Sequence, residues 1–399
     1  MNGSNGSIRI ATIRGIPLFI NTTWILVFVF FLWSFATSYF PGRYPGWTGQ
    51  AYFAAALTTT LLFFASIVVH ELGHALTAAR FGIGTRRITL SPIGGLAEIE
   101  REAETPAQEG AIAVAGPITS LLLGALFLGL YAIVRSFNVP FGGITVYLGW
   151  VNIALALFNL IPGYPMDGGR VLRAVVWAVT KSYSRGTRVA AQVGALVAIG
   201  FVGIGVLLLL NGQVVNGIIL AFIGWFVVTS GQRSVQQLSL QQELTGVTVE
   251  HVMTRDFAVV QAGATLAQVI NETFLAYNTR VGAVEGGGRF VGIVTLNDVV
   301  RIPHDNWEET RVEAVMTPMA RLISVAPTDQ VLSALARIQG ESFGQLPVVV
   351  DGHIVGLLTR SDLLRFVQLR TALHLPPTTG DDRKPPPQAV EVEQVSQTI

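Results

Sequence analysis

The chain has 399 residues, of which 51% are hydrophobic and 13% are charged, and its formal net charge is +1. A charge balance this close to zero, without any run of Lys and Arg, gives no reason to expect nucleic acid as a partner. The absence of cysteine excludes disulfides and thiolate metal ligands, so a metal site here needs His, Asp or Glu.

Long apolar segments dominate the chain up to about residue 235, and the remainder has the composition of a soluble protein. Roughly 20 apolar residues in a helix span a bilayer. Segments of suitable length and composition lie at residues 16–40, 51–69, 111–134, 141–166 and 189–229. The last is long enough for two spans, broken at residues 211–213, so the sequence predicts six transmembrane helices.

Positive charges indicate how these spans are oriented, because Lys and Arg in short loops stay on the cytosolic side of a cell membrane. Arginines and lysines concentrate in alternate loops, and the opposite loops hold only Arg43 and Arg135. This bias places both termini and the soluble C-terminal part in the cytosol. It also places the C-terminal ends of the second and fourth spans at the cytosolic face.

The second span ends with the motif His70-Glu71-Leu72-Gly73-His74. Residues four apart share one face of a helix, so both imidazoles can bind one metal ion while Glu71 points at a water on it. Zinc suits this chemistry, because three protein ligands leave a fourth position for water, and Glu71 is then the general base. A chance pentapeptide is the alternative, but ionisable side chains at membrane depth are costly and usually mark functional sites.

Residues 86–100, between the second and third spans, alternate in polarity and contain the pair Gly94-Gly95. This pattern is typical of a short β-hairpin. The sequence therefore predicts a small hairpin at the membrane surface.

A third metal ligand is expected from another span, and Asp167 is the acidic residue at the cytosolic end of the fourth. Pro162 and Pro165 precede it and must end or bend that helix. Taken alone, Asp167 reads as a plain helix cap. At the same depth as His70 and His74, it is predicted to be a metal ligand.

These residues resemble the site-2 protease family of intramembrane zinc metalloproteases. In that family, a His-Glu-x-x-His helix and a later Asn-x-x-Pro-x-x-x-x-Asp-Gly segment supply two His and one Asp to a zinc ion. The second pattern is matched position for position by Asn159, Pro162, Asp167 and Gly168. The resemblance covers residues 10–230 in outline.

The resemblance implies one Zn²⁺ per chain, held by His70, His74 and Asp167, with Glu71 as the catalytic base. It also implies that Asn159 lies near the substrate carbonyl or its oxyanion, although an amide inside a span can instead bond a neighbouring helix. The implied substrate is another transmembrane protein in the lipid bilayer. Its helix is expected to unwind and pair with an exposed strand of the protease.

The soluble part starts near Val249 and repeats its own sequence. The run Val252-Met253-Thr254 recurs as Val315-Met316-Thr317, and residues 292–298 recur as residues 356–362. Two landmarks that keep nearly the same offset indicate tandem copies of one α/β unit. The predicted organisation is a membrane domain, a polar linker, two repeats and a disordered Pro-rich tail, at residues 1–230, 231–248, 249–305, 306–370 and 371–399.

The repeats resemble a pair of CBS domains, which often bind adenosyl nucleotides such as AMP or ATP. Thr295 and Thr359 open helices and can donate to phosphate, while Asp298 and Asp362 can accept from ribose hydroxyls. Ordinary helix caps are the alternative for these four residues and need no ligand. A homodimer through the CBS domains is also expected.

Two other functions fit parts of the sequence. CBS pairs also occur on channels and transporters, so the membrane half is a candidate for an ion or solute pathway. A catalytically inactive protease relative is the other alternative, but its usual mark, the loss of the Glu or of a ligand, is absent. The convergence of two His, one Glu and one Asp at one depth favours a zinc-dependent metalloendopeptidase under nucleotide control.

Overall fold

A computed structural model of the chain describes residues 7–92, 94–136, 139–334, 345–373 and 385. The chain divides into two compact units, with the main boundary between Leu238 and Ser239. This boundary falls inside the predicted linker, and the predicted domain limits remain predictions. Most of the predicted tail lies outside the described residues.

Within the described residues, six helices are long and apolar enough to cross a membrane, which confirms the predicted number. The helices in chain order are α1 (Trp24–Arg43), α2 (Gly49–Arg80), α3 (Pro106–Val134), α4 (Val139–Asn159), α5 (Asp167–Thr180), α6 (Tyr183–Leu210) and α7 (Val214–Leu244). Helix α5 is the shorter one that is not a candidate span. Helix α4 ends before Pro162, as the proline predicts. Helix α7 continues to Leu244, so most of the predicted linker is helical.

The first span begins later than predicted, because its first six predicted residues form a strand. Strands β1 (Ser7–Ile13) and β2 (Ile16–Asn21) pair antiparallel, and β2 runs parallel to β3 (Thr85–Ser91). Strand β3 forms the predicted hairpin with β4 (Gly94–Ile99). The hairpin is therefore half of a four-stranded sheet in the order β1-β2-β3-β4.

The sheet packs on the C-terminal half of α2. Leu18, Ile88 and Leu90 of the sheet are buried in one cluster with Val68 and Ala75 of α2. Side chains of a strand alternate between its faces, so one face of β2 and β3 supplies this core. The contact holds the sheet beside the part of α2 that carries the histidines.

The second unit contains the repeats. Its elements are β5 (Val259–Gln261), α8 (Leu266–Gln268), β6 (Val281–Gly286), β7 (Arg289–Thr295), α9 (Leu296–Val300), α10 (Val312–Val315), β8 (Thr317–Pro318), β9 (Gln345–Val350), β10 (His353–Thr359) and α11 (Arg360–Ala372). Strand β8, at the start of the second copy, pairs with β7 of the first. Thr254, at the start of the first copy, bridges to Leu357 in β10 of the second. The copies exchange these segments reciprocally and so fold as one module.

Candidate metal centre

Three side chains predicted as metal ligands meet at one point. His70 and His74 lie one turn apart on α2, are each 4% exposed, and have their Nε2 atoms 3.3 Å apart. Asp167, the first residue of α5, places Oδ2 3.2 Å from both Nε2 atoms. Each residue alone is weak evidence for a metal, but their convergence from two separate helices is not a local pattern of the chain.

The separations of these three atoms fit a zinc ion. Bonds of about 2.0–2.1 Å in a tetrahedral zinc site place neighbouring ligand atoms about 3.3–3.4 Å apart. The observed separations of 3.2–3.3 Å are close to that edge length. Among the residues that the structure describes, no other group of His, Asp and Glu is assembled in this way.

Hydrogen bonds to α3 fix both imidazole rings. His74 Nδ1 lies 2.7 Å from the carbonyl oxygen of Ile112, so Nδ1 carries the proton and Nε2 keeps its lone pair. His70 Nδ1 lies 2.9 Å from Ser120 Oγ. The sequence gives no sign of Ile112 or Ser120, because a backbone carbonyl and a single serine form no recognisable motif.

The ionised form of Asp167 is favoured by its partners. Burial raises the pKa of this carboxyl, but the neighbouring His70 and His74 side chains outweigh burial and hold the pKa well below its usual range. A carboxylate must be deprotonated to bind a metal. The side chain is therefore in the form that ligation needs.

Two glycines leave the space that the centre occupies. A Cβ at Gly116 of α3 would lie 2.6 Å from His70 Nε2, and a Cβ at Gly95 of β4 would lie 2.5 Å from Glu71 Cγ. The pair Gly94-Gly95, predicted as a turn signal, thus also lets β4 approach Glu71 closely. The backbone N–H of Ala97 in β4 donates to the Glu71 carboxylate.

The predicted base and the predicted substrate-binding amide face the same cavity as the ligands. This cavity has a volume of about 510 Å³ and is lined by both histidines, Glu71, Asn159 and Asp167. Aromatic side chains, among them Trp24, Phe63 and Phe64, complete its wall. Asn159 ends α4 and Asp167 begins α5, so the intervening turn brings both to the cavity.

Comparison with known proteins decides the family. Residues 58–141 and 135–201 match the model of peptidase family M50, and residues 249–305 and 312–369 each match the CBS domain. The protein named "Putative zinc metalloprotease sll0528" from Synechocystis is 31% identical over 373 residues, which are 92% of this chain and 97% of that protein. The chain belongs to peptidase family M50.

A further relative and a solved structure are also similar to this chain. "Zinc metalloprotease MJ0392" from Methanocaldococcus jannaschii is 27% identical over 381 residues, which are 92% of this chain and 97% of that protein. The solved structure of a site-2 protease from the same organism is 30% identical and covers 57% of this chain and 95% of its own, with a TM-score of 0.40.

The M50 assignment confirms the predicted enzyme class, a metalloprotease, and Zn²⁺ is the metal that the family implies. With six apolar helices, this M50 protein is a multi-pass membrane protein. The tandem repeat is confirmed as two CBS domains.

In the CBS domains of this M50 peptidase, the predicted nucleotide-binding residues pair with each other as helix caps. Thr295 Oγ1 donates to Asp298 Oδ2 at 2.7 Å, and Thr359 Oγ1 donates to Asp362 Oδ2 at 2.7 Å. Asp362 Oδ1 also accepts from Thr254 Oγ1 at 2.7 Å. The helix-cap alternative is therefore realised in both copies, and binding of a nucleotide stays a prediction.

Proposed function

We propose that this M50 protein is an intramembrane zinc metalloprotease, which hydrolyses peptide bonds of transmembrane proteins in regulated intramembrane proteolysis. The main support is the convergence of His70, His74 and Asp167 at zinc spacing, beside Glu71, in one cavity. An ion pathway has no use for a general base next to such a donor set. An inactive relative is expected to lack at least one of the four residues.

The three converging donors would hold the zinc ion. When bound, Zn²⁺ supplies a Lewis acid and lowers the pKa of a water in its open position to about 7. Glu71, held by the Ala97 amide, would act as the general base for a water at this site and would pass the proton to the leaving amine nitrogen. The Asn159 amide donates to the carbonyl oxygen of the scissile peptide bond.

The substrate would enter as an extended segment. A helical peptide bond hides its carbonyl group, so the substrate helix must unwind before the bond is attacked. Strand β4 is an edge of its sheet and touches Glu71 through Gly95. An unwound segment that pairs with β4 gains main-chain hydrogen bonds and lies beside the base.

The proposed orientation places both termini and the CBS domains in the cytosol. Its support is the concentration of Arg and Lys in the loops before α1, between α2 and α3, and between α4 and α6. The cavity then opens near the cytosolic face of the membrane.

We also propose that an adenosyl nucleotide binds the CBS domains and modulates proteolysis. A cavity of about 740 Å³ is lined by Thr359 and Asp362 and by two arginines, Arg280 and Arg365. Guanidinium groups suit phosphates, and the aromatic Tyr277 in the same wall suits a base. The ribose hydroxyls would donate to the Asp362 carboxylate, which already accepts hydrogen bonds from Thr254 and Thr359.

A homodimer through the CBS domains is a further proposal. Leu364 and Leu369 of α11 and Val300 of α9 are exposed apolar side chains in this unit. Light scattering of the purified full chain in detergent gives the mass of the assembly; a mass of one chain at micromolar concentration contradicts the dimer.

The test of the protease is cleavage of purified single-span proteins in lipid vesicles, followed by mass spectrometry of the products. The wild-type chain is expected to cut within or near the span of a susceptible substrate, and Glu71→Gln is expected to bind zinc without cutting. Cleavage that survives Glu71→Gln would remove Glu71 from the mechanism. Cleavage that survives complete removal of zinc would overturn the proposed function.

A further inference from the structure

A second cluster of charges is buried close to the metal centre. Glu109 of α3 is 1% exposed and accepts hydrogen bonds from Arg173 Nη2 and, at 3.1 Å, from Arg170 Nε. Both arginines belong to α5, so this carboxylate ties α3 to α5. Arg170 and Arg173 contribute to the positive charge of the loop after the fourth span, and no sequence pattern pairs them with Glu109.

Arg173 is held on several sides. Its guanidinium lies over the rings of Tyr164 and Tyr183, 5.3 Å and 4.8 Å from their centroids, and Nη1 donates to Tyr183 Oη. Tyr183 in turn donates to Glu102. Tyr164 belongs to the turn between Asn159 and Asp167, so Arg173 also packs against the segment that leads to the ligand.

The cluster lies within two turns of the metal centre on both helices. Glu109 precedes Ile112 by three residues, and the Ile112 carbonyl holds the His74 ring. Arg170 and Arg173 follow Asp167 by one and two turns of α5. The ion pair between Glu109 and Arg173 therefore couples α3, whose Ile112 carbonyl orients His74, to α5, which begins with Asp167.

Position, rather than stability, is the expected contribution of this pair. Burying charges is costly, and replacing a buried ion pair by apolar side chains is often neutral or stabilising. A metal site, however, needs its ligands held within about 0.5 Å of the binding geometry. A fixed contact one turn from Ile112 on α3 and two turns from Asp167 on α5 limits how far α5 can slide or rotate against α3.

We propose that Glu109 and Arg173 are positioning residues, which fix α5 against α3 so that Asp167 meets both histidines at zinc spacing. This inference rests on the proposed zinc site. The pair touches neither the ion nor the substrate, and its effect on zinc passes through Asp167 and the Ile112–His74 contact.

The experiment measures zinc affinity and ligand geometry in the purified full-length protein. Glu109→Gln and Arg173→Lys are titrated with Zn²⁺ against a chromophoric chelator, and the visible spectrum of the Co²⁺-loaded protein reports the ligand geometry. We expect the zinc Kd to rise 10- to 100-fold, as for other residues that support metal ligands, and the Co²⁺ spectrum to change. The matched control is Glu104→Gln, which removes the same charge from an exposed ion pair with Arg101.

A double variant separates positioning from folding. Glu109→Leu combined with Arg173→Met removes both charges and is expected to recover the Tm that single variants lose, but not the zinc affinity. Wild-type zinc affinity and Co²⁺ spectrum in the single variants would overturn the proposal, and so would recovery of affinity together with Tm in the double variant. If Glu109→Gln does not fold, the zinc affinities and Co²⁺ spectra of Arg173→Lys and of the double variant test the proposal. A wild-type chain that binds no zinc would instead refute the proposed metal site itself.

Discussion

Asn159 lies at the end of α4 and faces the cavity that holds Glu71 and the three ligands. We propose that its amide stabilises the charge that develops on the substrate carbonyl oxygen. Loss of one such donor costs about 10²–10³-fold in kcat in other hydrolases. We therefore expect Asn159→Ala to lower kcat about 100-fold with unchanged zinc content, measured with any cleaved single-span substrate. A lower Tm with normal kcat in the folded protein would show that Asn159 only packs the helices.

Gly116 of α3 leaves no room for a larger side chain beside the histidine rings of the metal centre. An added Cβ would lie 2.6 Å from His70 Nε2, so Gly116→Ala must displace a ring or α3. We expect this variant to lose most of its zinc at equilibrium with a chelator. Gly129→Ala on the same helix is the control, because nothing lies within 4 Å of a Cβ there. Equal zinc binding by both variants would contradict the close approach of α3.

Individual residues differ in how far the sequence reveals them. His70, Glu71 and His74 form a local motif, and Asp167 is marked by its place beside a span. Ser120, Ile112 and the pair Glu109–Arg173 support the centre through contacts between distant parts of the chain. Such contacts depend on how helices pack, so no single-sequence pattern points to them.

At the scale of elements, apolar runs gave the right number of spans but the wrong start for the first. The apolar run Ile16-Pro17-Leu18-Phe19-Ile20 is separated from α1 only by the three uncharged residues 21–23, and strand β2 is hidden in it. Hydropathy cannot separate a buried strand from the start of a helix. Strand β3, by contrast, begins with the polar residues Thr85, Arg86 and Arg87 and then alternates, so its hairpin with β4 is visible in the sequence.

Helix α11, which follows Thr359, contributes an arginine to the proposed nucleotide site. Arg365 lines the cavity beside Thr359 and Asp362, and a nucleotide phosphate there gains a charge-assisted hydrogen bond. We expect Arg365→Ala to weaken AMP or ATP binding at least tenfold, about 1.4 kcal/mol, in calorimetric titrations of the full chain. Arg301→Ala, at the same position relative to Asp298 in the first copy, is the control. Equal weakening by both variants would contradict a site at the Thr359–Asp362 cavity, and no binding by the wild type would remove the nucleotide proposal.

At the scale of the whole molecule, the orientation in the membrane follows from loop charge and is directly testable. The chain contains no cysteine, so a single introduced cysteine can be labelled without first removing native ones. Its labelling shows on which side of the membrane it lies. Gln213→Cys, between α6 and α7, is expected to react with a membrane-impermeant maleimide in intact cells. Glu104→Cys, just before α3, is expected to react only after permeabilisation. The reverse pattern would invert the proposed topology and place the CBS domains outside the cytosol.

The division into a membrane half and a tandem module was predictable because composition changes sharply near residue 235 and because the module repeats. The reciprocal pairing of Thr254 with β10 and of β8 with β7 was not, since it joins segments across the two copies. Composition and repeats are properties of segments, whereas exchange between copies is a property of the assembled fold.

The zinc content of the purified protein, measured by elemental mass spectrometry beside a His74→Ala variant, tests the central claim without knowledge of the substrate. Three converging donors predict about one zinc ion per wild-type chain, and much less in the variant because one ligand is gone. An equal zinc content in both proteins, or a wild-type chain that stays metal-free after incubation with Zn²⁺, would contradict a zinc centre at His70, His74 and Asp167.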